Sequence, residues 1–149
     1  MKDRKAEIGE MLLRVFNKFL ENQKKPRRYG LEELLYPSEA HLLMLIGRYP
    51  DLGVTGLAEK GAVTKGAVSQ MVHKLINKGL IKKKPDPINT RKVVLELTSK
   101  GKIAYYSHER MHEEMDRELF AFLKRLKPGQ LQVVEEFLVH VESGIDKRK

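Results

Sequence analysis

The stretch "VTGLAEKGAVTKGAVSQMVHKLINKG", residues 54–79, constrains the fold most. It holds two short amphipathic segments joined by so tight a turn that the two helices must pack directly on one another. Thr64 is a natural N-cap for the second segment, and Gly79 sits where a helix end favours left-handed backbone. Ala58 is small where the helices cross, and Val68, ten residues on, faces the core. Val68, Met71, Val72, Leu75 and Ile76 make a buried stripe at helical spacing. That leaves Lys65, Gly66, Ser69, Gln70, His73 and Asn77 pointing outward.

Two strand-like pieces follow, "LIKKK" and "KVVLELT". Between them "PDPINTR" carries prolines that cannot donate to a ladder, so it reads as the loop of a hairpin. Val93, Leu95 and Leu97 should face one side while Val94, Glu96 and Thr98 face the other, the pattern of a half-buried hairpin. A helix pair followed by a basic hairpin is a winged helix-turn-helix, which puts its second helix in the major groove of DNA and its hairpin loop along the backbone. The outward residues suit that task. Gln70 can read an adenine edge, Lys65 a guanine or a phosphate and Ser69 either, while Gly66 lets the backbone approach closely. Thr64 and His73 border the same face. In the wing, Lys82, Lys84 and Lys92 offer phosphate contacts, with Asn89 beside them, and Arg91 is placed for a minor groove. A polar helix face alone is usually just solvated, and lysines on an edge strand usually just discourage pairing. The combination is what points to double-stranded DNA.

Charge distribution agrees. The net charge is +9, with a pI near 9.7. Between residues 60 and 92 nine lysines and arginines face a single acid, Asp86, whereas in 107–118 acids outnumber bases. Positive potential therefore sits in the middle of the chain, where a polyanion would bind.

Helices flank this lobe. Ile8, Met11, Leu12, Val15, Phe16, Phe19 and Leu20 repeat at helical spacing over roughly Arg4 to Lys25. A second helix, with Ser38 as its expected N-cap, stops before Pro50. Thr98 or Ser99 caps a long helix to about Leu126, and Pro128 opens the last one. The expected fold is mainly α with a small β-hairpin wing. One unit spans 1–149, with a winged helix-turn-helix lobe at 37–98 and a helical dimerisation region at 1–36 and 99–149. The first and last helices carry apolar stripes too wide for the small lobe to cover, so a homodimer is expected. No apolar run is long enough to span a bilayer, and "MKDRKAEIGE" lacks a signal-peptide core, so no membrane partner and a cytoplasmic location are expected. The chain has no cysteine, so any metal must be held by His, Asp or Glu.

On these segments the chain resembles the MarR family of bacterial and archaeal transcriptional regulators. "GLAEKGAVTKGAVSQMVHKLINKGLIKK" is similar to its helix-turn-helix, and "NTRKVVLELTSKG" to its wing motif, D-x-R followed by L-T-x-x-G. The resemblance implies an obligate homodimer built from the first, fifth and sixth helices, and release of DNA when a small ligand or metal binds near the hinge between lobes. It makes Arg91 the wing's minor-groove arginine and Lys65, Ser69, Gln70 and His73 the groove-facing set. Asn89 stands where the family usually carries Asp, and Gly61 and Ala62 stand where a large apolar residue and Gly are common.

One motif lies outside this frame. "SHERMHEE" contains H-E-x-x-H, His108 to His112, the spacing of a zinc peptidase helix. A peptidase needs a third ligand, and only His140 follows. A zinc metallopeptidase is thus a remote alternative, and no enzymatic activity is expected. The histidines can simply be packed. The sharper expectation is a regulatory metal site in which His41 joins His108 and His112, with Glu39 or Glu109 completing a set suited to zinc or nickel. That matches what the resemblance implies for metal-sensing members; a small organic effector in the same hinge is the other option, and no cofactor is required. The chain reads as a transcriptional repressor that binds a pseudo-palindromic operator as a homodimer. A sequence-tolerant architectural DNA-binding protein is the alternative.

Overall fold

A computed structural model of the chain describes residues 3–147. Six helices and one hairpin follow in the order α1 (Arg4–Gln23), α2 (Pro37–Arg48), α3 (Val54–Gly61), α4 (Lys65–Asn77), β1 (Ile81–Pro85), β2 (Val93–Leu97), α5 (Ser99–Leu123) and α6 (Pro128–Asp146). The expected mainly α fold with a two-stranded wing is what is found. The chain separates into two compact units whose boundary falls between Arg110 and Met111, within α5. Residues 1, 2, 148 and 149 of the expected dimerisation region lie outside the described residues.

The core of the first unit gathers where α2, α3, α4 and the hairpin meet. Leu43, Leu57, Val68, Leu75 and Leu80 are all fully buried there. Each such side chain contributes about 1.5–3 kcal/mol by leaving water, so these few positions fix the lobe. Thr64 caps α4 as expected, its Oγ1 accepting from the Ala67 N–H at 3.1 Å. Lys78 ends α4 and Gly79 follows at φ 68°. The Gly79 and Leu80 N–H groups then close the helix end on the carbonyls of Ile76 and Leu75. Ala62 adopts φ 51° in the turn before α4, a left-handed conformation reached without glycine's freedom.

Three expectations need correcting. The N-cap of α2 is Tyr36, not Ser38. Pro37 takes the first helical position, where its missing N–H costs nothing, and the Glu39 carboxylate accepts the Tyr36 N–H at 2.8 Å. The long fifth helix ends at Leu123 and the first at Gln23, each two or three residues early. In the hairpin, burial does not alternate, since Val94 and Leu95 are both buried. β1 and β2 pair in antiparallel register, Lys82 opposite Glu96 and Lys84 opposite Val94. Val94 shares a cavity wall with Ile46, Gly47 and Pro50, at and just beyond the C-terminal end of α2.

The start of α5 is clamped to the hairpin. Thr98 Oγ1 donates to the Gly79 carbonyl at 2.7 Å and accepts from the Gly101 N–H at 3.0 Å, which settles the cap in favour of Thr98. A Cβ on Gly101 would lie 1.9 Å from the Leu80 carbonyl oxygen, so only glycine fits. By contrast, α1 and α6 contain no buried residue at all. Phe19 and Leu20 on α1 and Phe137 and Leu138 on α6 are large apolar side chains left exposed. No helix among the described residues is long and apolar enough to cross a membrane.

Candidate nucleic-acid interface and histidine cluster

The core-facing stripe of α4 dictates what its other side presents. With Val68, Val72 and Leu75 buried, Lys65, Gly66, Gln70 and His73 are exposed together, and Ser69 is half-buried at their edge. These are the expected groove-facing residues, and the fold brings them onto one surface. Asn77 is exposed about one turn beyond His73.

The wing is more structured than its sequence suggests. Asp86 is 8% exposed and its Oδ1 accepts the N–H groups of Ile88 and Asn89 at 2.8 and 2.9 Å. Those two hydrogen bonds hold its carboxyl below the ordinary range, helped by Lys92 at 3.7 Å. Asn89 Oδ1 accepts the Arg91 N–H at 3.2 Å, so Asn89 shapes the turn through the backbone. The carboxylate work in this wing falls to Asp86, three residues earlier in the chain. The signal was legible as Asp-Pro-Ile-Asn, an Asx-type turn in which the side chain bonds the backbone two residues on.

The wing's cations differ in availability. Lys82 and Lys84 both reach Glu96, at 3.1 and 3.6 Å, and lower its pKa. Lys92 donates to the Asp51 carbonyl at 2.7 Å, which ties the wing to the loop before α3. Arg91 and Lys83 are exposed, and among the described residues neither side chain has an ion-pair partner.

The histidines come together as the spacing suggests. His108 on α5 is 1% exposed, and His41 from the N-terminal half of α2 meets it edge-on with ring centroids 4.8 Å apart. His112 follows one turn later on the same helix, and one ligand atom from each of His41, His108 and His112 lies within 4.8 Å of the others. Three imidazole nitrogens that close suit zinc or nickel, which take nitrogen ligands readily.

The two carboxylates expected to complete the set are engaged elsewhere. Glu39, 3% exposed, takes the Lys78 ammonium on both oxygens at 2.8 and 3.0 Å. Glu109 accepts Arg48 on both oxygens at 2.9 and 3.0 Å, which holds Arg48 still more firmly protonated. Glu109 is also the carboxylate that a peptidase would use as its base. His140 Nδ1 lies 2.8 Å from the Glu136 carbonyl on its own helix. Two residues at the cluster were not singled out from sequence. One is Arg48. The other is Tyr29, which is buried with its ring 5.7 Å from that of His108 and its phenol pKa raised by burial. His41 also borders a mostly apolar cavity of about 330 Å³ behind α4, lined in part by Phe19, Gln23, Leu45 and Met71.

Residues 35–93 match the model of the MarR family. An HTH-type transcriptional regulator of Bacillus subtilis, YhjH, is 27% identical over 107 residues, 72% of this chain and 61% of its own length. The chain thus aligns with less than two thirds of that relative. ZitR of Lactococcus lactis bound to DNA superposes with a TM-score of 0.78 at 21% identity, covering 97% of this chain and 99% of that one. Another structure of ZitR describes it as zinc-responsive; it covers 96% and 99% with a TM-score of 0.74 at 18% identity. The adhesin competence repressor AdcR of Streptococcus pyogenes gives a TM-score of 0.74 at 21% identity, over 96% and 98%. These likenesses establish a shared fold. The match to the MarR family model thus falls on α2, α3, α4, β1 and the start of β2.

Proposed function

We propose that the chain is a DNA-binding transcriptional repressor that works as a homodimer and is tuned by a divalent metal at His41, His108 and His112. The observation that carries the DNA part is the exposed polar face of α4 over a fully buried core, flanked by the ordered basic wing. Gln70, Lys65 and Ser69 read base edges, Thr64 and Gly66 bring the start of α4 close to the backbone, and His73 borders the groove. Arg91 enters the minor groove, and Lys82, Lys84 and Lys92 add phosphate contacts while Asn89 shapes the loop between them.

The apolar residues exposed on α1 and α6 support self-association through residues 1–36 and 99–149. Two-fold symmetry then calls for a pseudo-palindromic operator with half-sites about 34–36 Å apart.

The metal part rests on the histidine cluster, and the zinc-responsive ZitR with the same fold supports it. A bound divalent ion supplies a cross-link among three imidazoles. His41 stands on α2 of the winged-helix lobe, and His108 and His112 stand on α5. Holding them together selects one placement of α4 in the dimer, and the ion shifts DNA affinity by its preference for that state alone. An organic effector in the cavity behind α4 acts on the same elements and is the second route.

The test is fluorescence anisotropy with a duplex selected from a random pool and a scrambled control, with zinc and with chelator. Preference for the selected duplex by a hundredfold or more is expected, with Gln70→Ala narrowing it by about 1–3 kcal/mol at one base pair. Equal affinity for both duplexes would leave an architectural protein instead. Zinc should change affinity for the wild type and not for His108→Ala with His112→Ala. A response that is the same in both proteins would remove the metal from the proposal.

A further inference from the structure

The loop between α1 and α2 is held unusually hard. Tyr29 has φ 44°, a conformation that side chains with a Cβ rarely adopt, and Gly30 follows at φ 75°. A Cβ on Gly30 would meet Ile103 Cγ2 at 3.2 Å, so the turn is pressed onto α5. Arg27 and Leu35 close the loop by exchanging backbone hydrogen bonds of 2.8 Å, and Leu31 and Leu35 are buried beneath it. Backbone kept in a sparsely populated region persists only where its surroundings over-determine it, and such places concentrate at binding sites.

What the loop delivers is the Tyr29 side chain. It is 6% exposed and its ring lies 5.7 Å from that of His108, the planes tilted by 47°. His108 in turn meets His41 edge-on. The Tyr29 hydroxyl is buried, and among the described residues it has no hydrogen-bond partner. Packing explains the ring but not the hydroxyl, since phenylalanine would fill the same space without burying an unmatched polar group. A buried hydroxyl of this kind calls for a role, and a ligand site beside it provides one.

We propose that Tyr29 is a positioning residue of the histidine metal site, its hydroxyl serving as the outer partner that fixes the orientation of the His108 imidazole. This deepens the metal assignment above and rests on it. An imidazole that ligates a metal almost always uses its other ring nitrogen in a hydrogen bond to a neighbouring group, which sets the ring's tautomer and angle. The usual carboxylate partners are spoken for here, Glu39 by Lys78 and Glu109 by Arg48. The left-handed turn at Tyr29 and Gly30 is the device that brings the Tyr29 ring, with its neutral hydroxyl, beside His108. It also links the site to the α1–α2 loop.

The experiment titrates the full chain with Co(II), reading the visible ligand-field bands and the affinity by chelator competition, for the wild type and Tyr29→Phe. The phenylalanine keeps the ring and removes only the hydroxyl. The variant should bind Co(II) about 10–100-fold more weakly, with altered band positions, while its metal-free thermal melt matches the wild type. In the wild type, Co(II) should also perturb a tyrosine near-ultraviolet band that the variant lacks. Wild-type binding together with unchanged affinity and unchanged bands in Tyr29→Phe would reduce Tyr29 to a packing residue. If the wild type binds no Co(II), the metal assignment itself falls and this inference with it. Should Tyr29→Phe melt early, the wild-type difference spectrum decides: a tyrosine band that Co(II) leaves unmoved overturns the proposal.

Discussion

Replacing Lys78 with methionine tests the tertiary logic of the lobe most directly. Lys78 closes α4, and its ammonium donates to both oxygens of Glu39 and to the Leu34 carbonyl at 3.3 Å. Glu39 is 3% exposed while the Lys78 side chain is 28% exposed, so the substitution strands a carboxylate that water can hardly reach. Breaking a buried pair from one side costs about 3–5 kcal/mol. The partial exposure of Lys78, and the Tyr36 N–H that stays on Glu39, put this case near 3 kcal/mol by the same comparison. With an unfolding entropy of about 2.1 cal/mol/K per residue, that loss lowers the melting temperature by about 10 °C for a chain of 149 residues. Circular dichroism melts at one fixed protein concentration measure it, because a dimer's melting point depends on concentration. Adding Glu39→Gln to Lys78→Met should restore at least a third of the loss, since a neutral amide can still accept the Tyr36 N–H. A single-variant loss under 1 kcal/mol, or a double variant worse than the single, would mean that Glu39 is not held by this pair. The carboxylate would then be available to the histidine site after all.

The other expectations concern the wing and its anchorage. Lys83→Ala should reduce the slope of log affinity against log salt by about one phosphate contact, and Lys82→Ala by less, because Glu96 already neutralises part of Lys82; equal slopes would remove the distinction. Asp86 has its folded pKa depressed, so its support of the wing is fully present above the ordinary carboxylate range and lost as pH falls through the lowered value. Amide chemical shifts of Ile88 and Asn89 followed through an acid titration should move together at that lower pH, and should already be displaced at neutral pH in Asp86→Ala. Gly101→Ala forces a methyl against the Leu80 carbonyl and should cost about 1–3 kcal/mol or more in urea denaturation; a neutral result would mean that α5 does not start against the hairpin as described.

What could be foreseen and what could not divides along one physical line. Helical spacing and capping are local, and they placed α3, α4 and the hairpin closely: Val68, Val72 and Leu75 are buried, Thr64 caps, and Gly79 takes the left-handed turn. Local competition explains the small misses too, as when Pro37 pre-empts Ser38 at the start of α2. Charged partners are another matter. Glu39 finds Lys78 at a separation of 39 residues and Glu109 finds Arg48 at 61, so neither pairing leaves a trace at helical spacing. Both glutamates were therefore open as metal ligands from sequence and are occupied in the fold. Tyr29 was invisible for the same reason, because nothing in "RRYGLEE" says that its ring will lie against an imidazole on a helix some eighty positions later.

H-E-x-x-H shows how far spacing alone can carry an argument. Four residues on a helix place His108 and His112 on one face whatever the protein does, and the third donor has to come from elsewhere. Here His41 lies beside them, while the intervening Glu109, the residue on which hydrolysis would turn, is bound to Arg48. Both Glu109 oxygens already accept from that guanidinium, at 2.9 and 3.0 Å. Arg48→Ala is thus the informative perturbation. It frees Glu109 while leaving the three histidines in place, so it separates a carboxylate that serves the ion pair from one waiting to join the metal. If Glu109 only anchors α5 to α2, the variant loses about 1 kcal/mol or less of stability, as expected for a pair that is partly exposed, and its Co(II) spectrum stays that of the wild type. A new oxygen ligand in that spectrum would show the opposite: that the salt bridge is what keeps this site to nitrogen alone.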